Sequence, residues 1–142
     1  MLPDNFNVRV YGLCFNKSKD SLLTCEETYN GRKIIKFPGG GLKHGEGTLT
    51  CLKREFIEEF NTEINIILHF YTTDFFQRSA FDPKDQVLSI YYLISAKINI
   101  IKTPEHIKIN WVLLENLSPD HFTFPIDQKV AGMLLDSSTL NA

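Results

Sequence analysis

The stretch Gly39–Asn61, GGGLKHGEGTLTCLKREFIEEFN, decides how this chain reads. A cluster of glycines gives way to a helix-forming segment that carries Arg54, Glu55, Glu58 and Glu59. An α-helix turns about 100° per residue, so positions three and four apart share a face. Glu55, Glu58 and Glu59 therefore gather on one side, while Leu49, Leu52, Phe56 and Phe60 form an apolar stripe expected to face the core. Crowded carboxylates repel, and a like-charge pair such as Glu55–Glu59 costs roughly a few tenths of a kcal/mol. Arg54, one turn before Glu58, is the local relief. A hard divalent cation, Mg2+ or Mn2+, would convert the repulsion into coordination, because such ions prefer oxygen ligands. The competing reading of the acids alone is a solvated helix face.

The residues ahead of the helix shift the balance toward a ligand site. Pro38-Gly39-Gly40-Gly41 suits neither a helix nor a central strand, and glycine lets a backbone come close to a ligand. Gly45 and Gly47 flank a further acid, Glu46, and Thr48 or Thr50 reads as the helix N-cap. A glycine loop that runs into a helix N-terminus suits an anion. The stretch as a whole predicts divalent metal held against an anion.

Gly40, five residues, Glu46, seven residues, Arg54-Glu55, Phe56, one residue and Glu58-Glu59 together resemble the Nudix box of the Nudix hydrolases. The resemblance implies a loop–helix–loop that binds Mg2+, with Mn2+ as the alternative, and hydrolyses a nucleoside diphosphate linked to another moiety. It implies that Glu58 and Glu59 are metal ligands and that Glu55 is a ligand or base. Arg54 would orient a carboxylate of the cluster, and the carbonyl near Gly40 would add a ligand. Gly39, Gly40 and Gly41 would receive the substrate. Glu46 would be a supporting acid. Glu105, on the loop before the Trp111 strand, stands where some members of the family place a base. After the last glutamate the family has Gly and then an apolar residue, where this chain has Asn61 and Thr62. Asn61 can take the left-handed conformation that ends a helix, and Thr62 is expected to open a strand.

The 142 residues, 43% of them hydrophobic, suit one domain, 1–142, with a real core. A net charge of −2 gives no bulk attraction to nucleic acid or to an anionic membrane. Cys14, Cys25 and Cys51 are an odd, unpatterned set, read as reduced thiols in a cytoplasmic protein. No apolar run approaches the roughly 20 residues that span a bilayer. Strands are expected at 7–16, 21–28, 33–37, 62–76, 86–96 and 110–114, with an Asn30-Gly31 hairpin between the second and third. The nearly all-apolar QVLSIYYLISA (86–96) reads as central in its sheet. Pro125 opens a last helix over 126–135.

The order predicts an α+β fold, a mixed β-sheet flanked by helices. This is also what the resemblance implies, as the Nudix α/β/α sandwich. Arg78, beside Phe75-Phe76, is a substrate-binding candidate set against an ordinary loop arginine, and Asp82 and Asp85 are further acids set against turn chemistry. His44 and His106 are candidates for phosphate or metal contact set against exposed loop histidines, and Lys43 in the glycine loop is a candidate for phosphate contact. Tyr71, Phe75, Phe76, Phe81, Tyr91 and Tyr92 could supply a base-stacking partner or could fill the core. Cys51 has no base beside it, so a thiol nucleophile is not expected. Two other classes compete with the hydrolase: a Nudix-like nucleotide or nucleotide-sugar binding module without hydrolysis, and an interaction domain with a merely solubilising acidic face. The partner expected is a small nucleotide-type molecule, and a homodimer is left open.

Overall fold

In the computed structural model, which describes residues 1–97 and 103–136, seven strands and two α-helices form two sheets and their covers. The first sheet contains β1 (Asn5–Cys14), β4 (Gly39–Gly41), β5 (Ile64–Thr72) and β6 (Asp85–Ala96) in the order β4-β1-β6-β5. It is mixed: β1 and β6 run parallel, and the outer strands are antiparallel to their neighbours. β6 is interior, as its apolar sequence predicts. The second sheet is antiparallel, β3 (Arg32–Lys36), β2 (Ser21–Tyr29) and β7 (Ile107–Leu113) in the order β3-β2-β7. A bridge between Phe15 and Leu22 joins β1 to β2.

Alternation along the strands sets the layers, because successive side chains point to opposite faces. Val10 and Cys14 of β1 and Ile94 of β6 pack with Leu52, Phe56 and Phe60 of α1 (Thr48–Phe60). Tyr11, Leu13 and Tyr91 face the other way, with Ile126, Val130 and Leu134 of α2 (Pro125–Leu135). The mixed sheet therefore lies between two helices, which is the α+β sandwich expected.

Several boundaries and details differ from the expectation. Thr62 does not start a strand; its hydroxyl donates to the Phe60 carbonyl at 2.8 Å, and β5 begins at Ile64. β5 ends at Thr72, where the backbone N–H of Thr73 turns to the Ser89 carbonyl. β7 begins at Ile107, earlier than expected, because β2 offers it partners as far as Glu27. The helix N-cap is Gly47 rather than Thr48 or Thr50, with no side-chain cap. Thr48 instead shares a 2.7 Å hydrogen bond with the Tyr92 hydroxyl. Leu49 is 45% exposed, and Cys51 takes its place in the buried stripe.

Candidate active site

The strand of glycines is an edge strand, and at Gly39 and Gly40 its backbone is too close to its neighbours for any side chain. Gly39 has φ +154°, and a Cβ there would stand 2.1 Å from the Val10 carbonyl oxygen. A Cβ on Gly40 would lie 2.3 Å from the Glu55 carboxyl carbon. The glycines thus let β4 sit between β1 and the acidic face of α1.

From Gly41 the chain loops to Glu46 and into α1. Arg54 ties these parts together. Its Nε and Nη2 donate to the two oxygens of Glu46, at 2.9 and 2.6 Å. Nη2 also donates to the Gly41 carbonyl at 3.0 Å. Nη1 donates to Glu55 and to Glu58, each at 3.1 Å. The guanidinium holds the Glu46 carboxyl down at about 2, assisted by the Lys43 backbone N–H. At the far end of the helix Asn61 adopts φ 47°, the left-handed cap that the sequence implied, and its N–H returns to the Ile57 carbonyl.

Glu59 lies deeper. One of its carboxylate oxygens, Oε2, is buried without a hydrogen-bond partner. Burial, reinforced by Glu55 and Glu27 and opposed by Lys36, pushes its carboxyl up to about 7. An orphaned buried acceptor of this kind is costly. A cation would satisfy it, and the donor set around it consists of hard oxygens. The residues thus fit a divalent metal in kind. Among the described residues, no three His, Cys, Asp or Glu side chains already stand together as a cation cage, since Arg54 engages Glu55 and Glu58.

These groups border a cleft of about 380 Å³ whose walls include Gly39, Gly40, Gly41, Glu55 and Glu59. Arg78 lines its mouth, with its guanidinium donating to the Pro83 and Met1 carbonyls at 2.5 and 2.6 Å. Glu58 stands beside the cleft, half-exposed. Glu105 is exposed in the turn before β7 and is not part of the wall. His44 is exposed, and His106 lies 4.0 Å from Glu27. Asp82 caps a turn, accepting from the Lys84 N–H at 2.9 Å. Cys51 is buried, which raises its thiol to about 11 and leaves it unreactive.

Sequence reading missed other cleft residues. Arg9, Glu27 and Lys36 project from strands, and Lys36 pairs with Glu27 at 3.0 Å. Tyr29, Phe81 and Phe124 form an aromatic rim with ring centroids 4.9 and 5.7 Å apart. Of these three, Phe81 is the one that the sequence offers as a base-stacking partner. On the floor, the Tyr91 hydroxyl donates to buried Asp127 at 2.5 Å. Strand pairing brings these residues together, and no short motif marks them.

The family model described as NUDIX domain matches residues 5–131. The chain belongs to the NUDIX domain family. The Nudix fold is shared with solved structures of low identity. The MutT protein from Methanosarcina mazei superposes with a TM-score of 0.75 at 19% identity, covering 97% of this chain and 98% of that one. An ADP-ribose pyrophosphatase from Streptococcus suis gives 0.66 at 14% identity, covering 93% and 91%. A mouse relative, nucleoside diphosphate-linked moiety X motif 6, is 29% identical over 136 residues, 90% of this chain. The chain spans 41% of that relative's length. The Nudix match reaches well beyond the box, through both sheets and into α2.

Proposed function

We propose that this Nudix-family chain is a metal-dependent pyrophosphohydrolase that cleaves the diphosphate of a nucleoside diphosphate linked to another moiety. The observation that carries the proposal is the partnerless buried oxygen of Glu59 in a cleft walled by the glycine strand. Glu55, Glu58 and Glu59, with the Gly40 carbonyl, are the groups that would hold Mg2+ or Mn2+. When bound, such an ion neutralises phosphate oxygens and lowers the pKa of a bound water.

The chain's own groups divide the remaining work. Gly39, Gly40 and Gly41 give the diphosphate close approach to the backbone. Arg54 fixes the directions of Glu55 and Glu58 through hydrogen bonds rather than by contact with substrate. Of the candidate bases, Glu55 lines the cleft while Glu105, Asp82 and Asp85 do not, so we assign proton removal from the attacking water to Glu55. The rim of Tyr29, Phe81 and Phe124 offers ring faces to a nucleobase. Arg78 already spends its nitrogens on carbonyls, so its share in substrate binding is its flat face and stem. Three buried free cysteines suit a reducing, cytoplasmic setting.

The test is a panel of nucleoside diphosphate derivatives assayed with Mg2+ and with Mn2+. Glu58→Gln and Glu59→Gln should each abolish turnover while circular dichroism stays native. A wild-type rate in either variant overturns the assignment. Tight nucleotide binding by the wild type, with the ligand intact after long incubation with metal, would identify a binding module instead.

A further inference from the structure

Three cations line the cleft: Arg9, Lys36 and Arg78. Two are already engaged, Lys36 with Glu27 at 3.0 Å and Arg78 with two backbone carbonyls. Arg9 differs. Its Nε donates to the Tyr11 hydroxyl at 2.7 Å, and its guanidinium lies 5.7 Å from that ring's centroid. Its two terminal nitrogens make no hydrogen bond or ion pair among the described residues. Glu55 and Glu27 are near enough to attract the charge, but neither bonds to it.

The position follows from register. Arg9 of β1 lies opposite Gly41 of β4. Its Nη1 is 3.6 Å from the point where a Gly41 Cβ would stand, ordinary van der Waals contact, so the guanidinium lies directly beside the glycine strand. Tyr11, on the same face of β1, anchors Nε and fixes the plane of the fork. These nitrogens are not shut away from solvent: among the described residues the buried polar side-chain atom without a partner is Glu59 Oε2, so the Arg9 donors open into the cleft and can take a ligand there. A guanidinium held by Nε, with its outer nitrogens free, matches two oxygens of one phosphoryl group.

We propose that Arg9 is a substrate-positioning ligand whose terminal nitrogens grip the diphosphate from the β1 side of the cleft, opposite the carboxylates of α1. The inference rests on the diphosphate reading above. Arg9 removes no proton. It supplies the positive wall that a doubly charged group needs next to so many acids, and it fixes the phosphoryl group relative to Glu55.

Inorganic pyrophosphate with MgCl2 is the probe, titrated calorimetrically into the wild type, Arg9→Met and Arg9→Lys. Arg9→Met should weaken binding about 10- to 100-fold, the range for losing charged hydrogen bonds. Arg9→Lys should fall between, because it keeps the charge and loses the fork. With whichever nucleotide the wild type hydrolyses, Arg9→Met should raise KM by more than it lowers kcat. If Arg9→Met does not fold, Arg9→Lys carries the test alone: it must weaken pyrophosphate binding with an unchanged melting temperature. Wild-type affinity in the folded variants overturns the role of Arg9 and leaves the hydrolase reading standing. A wild-type protein that neither binds pyrophosphate nor cleaves any diphosphate overturns both.

Discussion

At the scale of single residues, the glycines and one buried acid carry consequences that can be measured. Gly40→Ala would drive a methyl into the Glu55 carboxylate, which must swing away. Backbone pairing with β1 need not change, so the expected result is a folded protein with turnover reduced about 100-fold or more, as for misplaced catalytic groups. Gly39→Ala meets the Val10 carbonyl instead, which is backbone and cannot yield, and it should destabilise by about 1–3 kcal/mol in a urea titration. Asp127 sets a pH dependence. Burial raises its carboxyl to about 7, against 3.8 unperturbed, with the Tyr91 bond opposing the rise. The folded chain therefore holds this proton more tightly than the unfolded chain. Its stabilising effect is complete below about pH 3.8 and is lost as pH climbs through about 7. Asp127→Asn removes the titration, so relative to the wild type it should gain melting temperature between pH 4 and 8. Parallel melting curves for the two proteins would contradict this.

At the scale of elements, α1 joins chemistry to packing. Glu55 and Glu58 are held by Arg54 on one face while Phe56 and Phe60 anchor the other, with ring centroids 5.2 Å apart. Phe56→Ala should cost about 3–5 kcal/mol, the usual range for a fully buried phenylalanine, and should lower activity only by unfolding the site. Asn61 is a milder case. At φ 47° glycine is at least as comfortable, so Asn61→Gly should be close to neutral, whereas Asn61→Ala should cost about 1 kcal/mol by chemical denaturation. These elements differ in how far the sequence announces them. The acid spacing, Asn61 and the Pro125 start of α2 are local patterns, legible without any partner. The N-cap was not, because Thr48 prefers the Tyr92 hydroxyl from a distant strand. Likewise Leu49 and Cys51 exchange places because β4 and β1 fix the rotation of the helix, which periodicity alone leaves loose. The division into two sheets and the meeting of Arg9, Glu27 and Lys36 are products of strand pairing, and no short window of sequence contains them.

At the scale of the whole molecule, the two core clusters pack on opposite faces of the mixed sheet, and the cleft opens beside its glycine edge. Glu59 belongs to the helix of one cluster, while Asp127 and Phe124 stand at the start of the helix of the other. A cation bound at Glu59 would thus stabilise an arrangement that the unfolded chain cannot offer. Linkage then requires that Mg2+ or Mn2+ raise the melting temperature, by about 2.7 kcal/mol of added stability when the ion is a hundred times above its dissociation constant. Glu59→Gln should abolish that rise while making the metal-free protein no less stable, since a neutral amide in a buried place costs less than an unpaired carboxylate. Differential scanning calorimetry with and without MnCl2 separates the outcomes. A rise of equal size in Glu59→Gln would place the ion elsewhere on the molecule. No rise in the wild type would leave the orphaned oxygen as a plain cost of folding and remove the physical basis for metal-dependent hydrolysis at this cleft.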